Sequence, residues 1–382
     1  MTTPRNRARL SAVAGAVCAM TMTLTAYSGT AYAEVRAEEH PATLAALRTL
    51  QAAAGPGAAV HAGADGDDWT LSAGTGTYGA DRPIRRDEHF LIGSQTKTFT
   101  ATAVLQLVDE GKVALDTPID TYLPGVVTGN GYDGTRVTVR HLLRHTSGIA
   151  PYSPGMPLDP VTVQPPRNAD GTYTPREVVR TALSLDPVSA PGAKATYSNT
   201  NYVILGMLLE AVTGAPARAA VQSRVIEPLG LTRTFFPAPG DRALPSPAVT
   251  GYHGARLGGI YVWTRAQIVE PSLYGSAGAM VSTLEDLTAF YEALLGGELV
   301  SPGSLAEMKD TAQTGSGLGL FSTRLSCGVT AWGHNGMMPG HHSYTLVAED
   351  GRHASAMTNA AFQFGTPHAQ MTKVLDTAVC ES

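Results

Sequence analysis

Leu44, Leu47 and Leu50 recur at helical spacing through an alanine-rich stretch, which predicts an opening helix over residues 41–54. Two strand-like runs follow, 58–62 and 69–72, and the Gly-Ala-Asp-Gly-Asp-Asp stretch between them predicts a hairpin turn. From Ser94 onward, Phe99, Ala103, Val104, Leu107 and Val108 fall on one face of a helix that Gly111 ends. The middle of the chain reads as helical segments between Pro- and Gly-rich loops. Thr138 caps a short helix through His145, and a second helix over 202–212 ends near Gly214 and Pro216. Further on, Ser282 with Glu285 spells a capping box for a helix through Leu295. Residues 329–333, 342–349 and 352–358 read as adjacent strands, and 363–380 as a closing helix. This order implies a sheet assembled from both ends of the chain around an inserted all-α lobe. No internal repeat or low-complexity tract interrupts it.

The first 33 residues stand apart from this pattern. Arg5, Arg7 and Arg9 precede an apolar stretch of small residues from Leu10 to about Thr25, and Ala31-Tyr32-Ala33 supplies a cleavage signal. Residues 1–33 therefore read as a secretory signal peptide. A retained anchor needs about 20 strongly apolar residues, and this stretch is shorter and diluted with Ser and Thr. Its removal would leave 349 residues with 24 basic and 32 acidic side chains, a net charge of −8. Such a balance offers no basic surface to nucleic acid. With 43% hydrophobic and 15% charged residues the composition is that of a globular protein, and no other run is long enough to span a bilayer. The two remaining cysteines, Cys327 and Cys380, are expected to form a disulfide in an oxidising compartment, worth about 3 to 5 kcal/mol over so long a loop. The expected product is a secreted monomer.

Three short motifs carry the candidate chemistry. In Ser94-Gln95-Thr96-Lys97, helical spacing puts the Lys97 stem beside the Ser94 hydroxyl. A serine is a poor nucleophile until a neighbour takes its proton, and a desolvated lysine can do so. Of the five lysines, only Lys97 follows a serine by three residues. Tyr197-Ser198-Asn199 adds a phenol that can shuttle a proton and an amide that can bind a carbonyl and hold the lysine. His334-Asn335-Gly336, on or beside a predicted strand, offers hydrogen bonding or positive charge, and a glycine that lets backbone approach an acyl group. His61-Ala62-Gly63 is a second His-x-Gly match, so only order and context choose between them.

Taken together, Ser-x-x-Lys, Tyr-x-Asn and His-x-Gly in this order resemble the penicillin-recognising serine hydrolases. The likeness is nearest to the secreted serine D-alanyl-D-alanine carboxypeptidases, with class C β-lactamases and related esterases as relatives. It covers about residues 40–382 and includes Phe90-Leu91-Ile92-Gly93 before the serine, His141-Leu142-Leu143-Arg144-His145-Thr146-Ser147-Gly148, and Gly333-His334-Asn335-Gly336. The resemblance implies a β-lactamase/transpeptidase-like α/β (α+β) fold, an antiparallel sheet with flanking helices plus the helical insert. Within a catalytic domain of residues 34–382, the sheet lobe would take about 34–93 and 251–382, and the helical lobe about 94–250. It implies acylation of Ser94, with Lys97 and Tyr197 relaying its proton to the leaving amine. Water then hydrolyses the ester with Tyr197 or Lys97 as base. The backbone N–H groups of Ser94 and Met337 would form the oxyanion hole. Asn199 would orient the acylated peptide, and His334, with Asn335 and Gly336, would bind its carboxylate end. Peptidoglycan-type D-Ala-D-Ala peptides and β-lactams are the implied partners, and no cofactor or metal is expected.

Two departures bear on specificity. Class C β-lactamases usually carry lysine where His334 stands, which favours the peptidase branch. The carboxypeptidases carry an arginine shortly after a Gly-Leu-Gly-Leu stretch, and here Phe321-Ser322-Thr323 occupies that place, with Arg324 following. This leaves room for a D-aminopeptidase-like or esterase activity, alongside a class C-like β-lactamase; complete catalytic residues argue against a non-hydrolytic penicillin sensor. The segments 152–166 and 261–276 are expected to shape the pocket. Other signals are weaker. Gly74-x-Gly76-x-x-Gly79 is followed by Pro83 where a dinucleotide-binding helix would begin. His141 and His145 lack the glutamate of a zinc-binding His-Glu-x-x-His. Without Gly-x-Ser-x-Gly, an α/β-hydrolase is disfavoured.

Overall fold

The computed structural model describes residues 39–152, 165–257, 260–312, 314–362 and 367–382; the leader and most of segment 152–166 lie outside it. Its centre is a six-stranded antiparallel sheet. The hairpin appears as β1 (Gly57–Ala64) and β2 (Asp67–Gly74). The C-terminal region supplies β3 (Phe321–Arg324), β4 (Thr330–Met338), β5 (His341–Ala348) and β6 (His353–Thr358). The strand order is β2-β1-β6-β5-β4-β3, so the two ends of the chain meet where β1 pairs with β6.

Both faces of this sheet are covered, and side-chain alternation divides them. Val60 and Ala356, paired across β1 and β6, face a layer formed by α1 (Pro41–Ala54) and the C-terminal helix His368–Glu381. Their neighbours Ala59 and Met357 face the larger core, which holds α2 (Thr96–Asp109), α3 (Val139–Leu143), α4 (Asn199–Thr213) and α5 (Leu284–Leu295). There Phe99 of α2 stacks on Phe290 of α5 at 3.6 Å between ring centroids. With the C-terminal helix now α6, its Glu381 accepts hydrogen bonds from the N–H groups of Ala42 and Thr43 at 3.0 and 2.9 Å. That carboxylate serves the N-terminus of α1, whose own N-cap residue, His40, makes no side-chain cap bond. Beside α6, Cys327 and Cys380 form the expected disulfide, with Cα atoms 5.7 Å apart.

Several sequence boundaries move for local reasons. Thr283, not Ser282, caps α5 by accepting from Asp286 N–H. Ser282 instead pairs with Phe90 in a short strand contact and bonds Thr234 through its hydroxyl. The strand expected to end at Gly333 runs on to Met338, because β5 pairs with β4 along its length from Ala331 to Met338. A second, three-stranded sheet of Tyr252–Leu257, Ile260–Arg265 and Ala360–Phe362 has no counterpart among the elements expected from the sequence. Among the described residues no single helix is long and apolar enough to cross a membrane.

Candidate active site

Ser94 sits in a one-turn 3-10 helix, Gly93–Gln95, at the N-terminal end of α2. Gly93 makes this entry with φ +53°, and a Cβ there would fall 2.6 Å from the backbone nitrogen of Met337. Gly336 is equally confined: its Cβ would stand 1.8 Å from the Ile92 carbonyl oxygen. Only glycine at both positions lets the nucleophile turn lie flat against β4. β3 pairs with Thr330–Gly333, so from His334 onward that edge of β4 is turned to residues 92–94 instead of to a strand. This brings the Met337 backbone nitrogen against the turn that carries Ser94.

The Ser94 hydroxyl is bracketed by two groups. Tyr197 Oη donates to Ser94 Oγ at 2.7 Å, and Lys97 Nζ lies 3.1 Å from it. Lys97 is fully buried, and its Nζ also meets Asn199 Oδ1 at 2.8 Å and the Ala277 carbonyl at 2.6 Å. None of these three partners is a carboxylate, so nothing offsets desolvation, and burial holds the amine well below the usual lysine range. A neutral amine donates its two hydrogens to the Asn199 and Ala277 oxygens. Its lone pair is left directed at Ser94 Oγ–H, the arrangement of a base beside a nucleophile. Tyr197 keeps its proton: burial pushes its phenol above the ordinary value, although 41% of the residue is open to solvent and the Ser94 hydrogen bond pulls the other way.

The helix expected from Tyr202 begins earlier, at Asn199. Tyr197 is thus the last residue before the N-cap Ser198, while Asn199, in the first turn of α4, meets Lys97 through its Oδ1. The Lys97 ammonium position also lies over the rings of Tyr197 and Tyr202, 4.8 and 5.6 Å from their centroids.

His334 is 2% exposed, on the face of β4 turned to α2 and α5. Burial lowers it to about 3, so it offers no positive charge at neutral pH. Its Nδ1 faces the Asn335 carbonyl at 2.5 Å and therefore carries the hydrogen, which leaves Nε2 as an acceptor. The Phe321 ring packs against it, centroids 4.7 Å apart. Arg324 does not substitute for the missing arginine: it pairs with Thr330 three residues down the strand, and its guanidinium bonds the Thr330 hydroxyl. Asn335 pairs with Tyr344, a residue of the layer under α6, so strand alternation carries its side chain to the face away from Ser94. The second His-x-Gly match, His61-Ala62-Gly63, lies in β1 and bonds the Trp69 carbonyl.

Nothing in the sequence singles out the Ala277 carbonyl, 180 residues away from Lys97. His145 stands there as a helix end, as flanking sequence and as a weak zinc candidate, yet its ring packs on Tyr197 with centroids 4.4 Å apart and planes tilted by 33°. His141 acts elsewhere, its Nδ1 accepting from Thr138 N–H to complete the capping box of α3.

Comparison with known proteins fits this geometry. Penicillin-binding protein 4 of Amycolatopsis lactamdurans is 29% identical over 325 residues, 80% of this chain and 81% of that one. The crystal structure of a D-stereospecific amidohydrolase from Streptomyces sp. superposes with TM-score 0.76 at 39% identity, covering 88% of this chain and 98% of that one. A D-amino acid amidase from Ochrobactrum anthropi SV3, complexed with L-phenylalanine amide, gives 0.75 at 26% identity, covering 90% and 98%. Residues 38–374 match the Beta-lactamase family, and the chain belongs to it as a serine hydrolase of the β-lactamase/transpeptidase-like fold.

Proposed function

We propose that this protein is a serine amidohydrolase that takes the acyl group of a D-amino-acid amide, or of a similarly uncharged amide or ester, onto Ser94 and passes it to water. The observation that carries the reading is the Ser94 hydroxyl held between Tyr197 Oη and the buried Lys97 Nζ, whose pKa burial depresses. Lys97 accepts the Ser94 proton as Oγ attacks the carbonyl carbon. The oxygen charge that develops faces the N–H groups of Ser94 and Met337. As the C–N bond breaks, Tyr197 gives its proton to the departing nitrogen and recovers one from Lys97. Asn199 holds Lys97 and meets the acyl portion. Water then attacks the ester carbonyl with its proton passing to the same Lys97–Tyr197 pair, and the acid leaves as Ser94 is restored.

The substrate class follows from the edge formed by His334 and Phe321. A neutral imidazole presenting an acceptor nitrogen suits an amide N–H and repels a carboxylate, and Phe321 adds an apolar wall where a carboxypeptidase carries arginine. The two amidohydrolase structures among the neighbours support the same class. A second reading, a D-alanyl-D-alanine carboxypeptidase of cell-wall peptides that β-lactams acylate, is favoured by the long alignment with a penicillin-binding protein. Under either reading the leader and the Cys327–Cys380 disulfide suit an exported enzyme.

The test is mass spectrometry of products from a D-amino-acid amide, a D-Ala-D-Ala peptide and a simple ester offered side by side. The amide or the ester should be consumed fastest by the wild type, and no substrate should be consumed by a folded Ser94→Ala variant. Preference for the peptide by tenfold or more moves the assignment to the second reading. Failure of every substrate, and of a fluorescent penicillin, to form an adduct on Ser94 overturns both.

A further inference from the structure

We infer that His145 is a positioning residue for the acylation step, clamping Tyr197 so that its hydroxyl stays on Ser94; this rests on the reading above, in which Tyr197 supplies the proton to the departing group. Tyr197 itself has little to hold it. It lies in a loop, it is 41% exposed, and its hydroxyl bonds Ser94. The hold comes from its two neighbours in sequence. Thr196 N–H donates to the His145 carbonyl at 2.8 Å, and Ser198 N–H donates to His145 Nδ1 at 3.2 Å. One residue thus receives the backbone on both sides of Tyr197, and its ring fills the space beneath the phenol at 4.4 Å.

The rest of the environment fixes His145 in turn. Its Nδ1 also lies 3.3 Å from Asn201 Nδ2, and Asn201 Oδ1 accepts from Ser147 Oγ at 2.6 Å. Because the Asn201 oxygen is thus occupied, its amide nitrogen is what faces His145, and Nδ1 must be a bare acceptor with the hydrogen on Nε2. His145 is 4% exposed, and burial keeps it neutral, so both bonds to Nδ1 persist through the neutral range. Its backbone is in the left-handed region, φ +58°, an unusual conformation for a histidine that persists only when the surroundings dictate it. That conformation aims carbonyl and ring at the same three-residue stretch, 196–198.

A double-mutant cycle tests the inference, with acylation followed as turnover of a D-amino-acid p-nitroanilide, whose departing nitrogen needs the Tyr197 proton, and with the burst from a p-nitrophenyl ester, whose leaving group does not, as the control. His145→Phe keeps an aromatic ring and removes the Nδ1 acceptor. It should slow acylation by the anilide about 10- to 100-fold, the cost of misplacing a reacting group by a fraction of an ångström to an ångström, with KM changed less than threefold and the ester burst slowed less. The discriminating measurement is made in the Tyr197→Phe background, where adding His145→Phe should slow the reaction less than threefold further, since the proton it positions is already gone. Multiplicative losses in the double variant, or wild-type acylation by His145→Phe alone, overturn the inference while leaving the proposed function intact. If thermal unfolding shows that His145→Phe does not fold, His145→Gln takes its place in the same cycle under the same criteria. A wild-type chain that gives no burst and no turnover overturns the reading and the inference together.

Discussion

Replacing Lys97 by methionine keeps the length of the side chain and removes its titration, and the structure dictates both consequences. Nζ touches three neutral oxygens and sits in a fully buried space, so charging it inside the fold is costly, whereas in the unfolded chain it ionises near the usual value of about 10.4. Its folded value is depressed. Between that depressed value and the ordinary one, the unfolded state binds one more proton than the folded state, and stability therefore rises with pH. The limiting slope is about 1.4 kcal/mol per pH unit for one such group. Lys97→Met lacks this term. The difference in unfolding free energy, wild type minus variant, should accordingly grow in favour of the wild type as pH is raised on the alkaline side of neutrality. Urea unfolding of the two proteins in parallel at several pH values measures it, and titrating groups remote from Lys97 cancel in the difference. Acylation by Lys97→Met should fall roughly 100- to 10,000-fold, equivalent to about 3 to 5.5 kcal/mol of barrier. In the wild type, the acylation rate should rise with pH through the depressed lysine value. Parallel stability curves across this range would mean that Lys97 is charged in the fold, and the assignment of the amine as base would then fail.

Gly336→Ala places a methyl group against the Ile92 carbonyl, so β4 must retreat from the nucleophile turn; acylation should drop at least tenfold with a lowered melting temperature, and an unaffected burst rate would refute the close approach argued above. Cys327→Ser opens a cross-link spanning 53 residues, for which the chain-entropy relation gives about 4 kcal/mol, so denaturant midpoints should fall in the variant and in the reduced wild type alike. His353, fully buried, lies between Glu292 Oε1 at 2.9 Å and Asp68 Oδ1 at 3.1 Å. Burial opposes its charge, but these two carboxylates outweigh burial and raise its value above the usual 6.5. A group raised in the fold contributes its stability fully below the unfolded value and loses it as pH climbs through the folded one. The melting temperature of the wild type relative to His353→Asn should therefore be highest in mild acid and shrink toward alkaline pH; a difference that grows with pH would reverse the assignment of charge.

What could be read from the sequence, and what could not, divides by distance along the chain. Ser94 and Lys97 are joined by three residues of helical backbone, so their proximity is a covalent consequence that the motif alone reveals. The hairpin 57–74 and the Gly214 helix end are equally local, set by turn residues within the segment. Where the outcome depends on a remote partner, the local pattern misleads. The polar triplet His334-Asn335-Gly336 looks like the end of a strand, yet β5 supplies hydrogen bonds along it and the strand continues to Met338. Asn335 follows in the same way: membership of a motif suggests that its side chain serves the site, while the pleat, set by pairing with Tyr344, sends it to the other layer. Protonation is the property least visible in residue names. The sequence admits a positive His334 ready for a carboxylate, but burial beside Lys97 removes that charge, and with it the chief reason to expect a free carboxylate there. The same burial that disarms His334 also depresses the Lys97 pKa, because desolvation disfavours the charged form of both. In the proposed function, nucleophile activation and a preference for uncharged substrates would thus be two results of a single physical cause, and a substitution that lets water reach Lys97 should weaken both together.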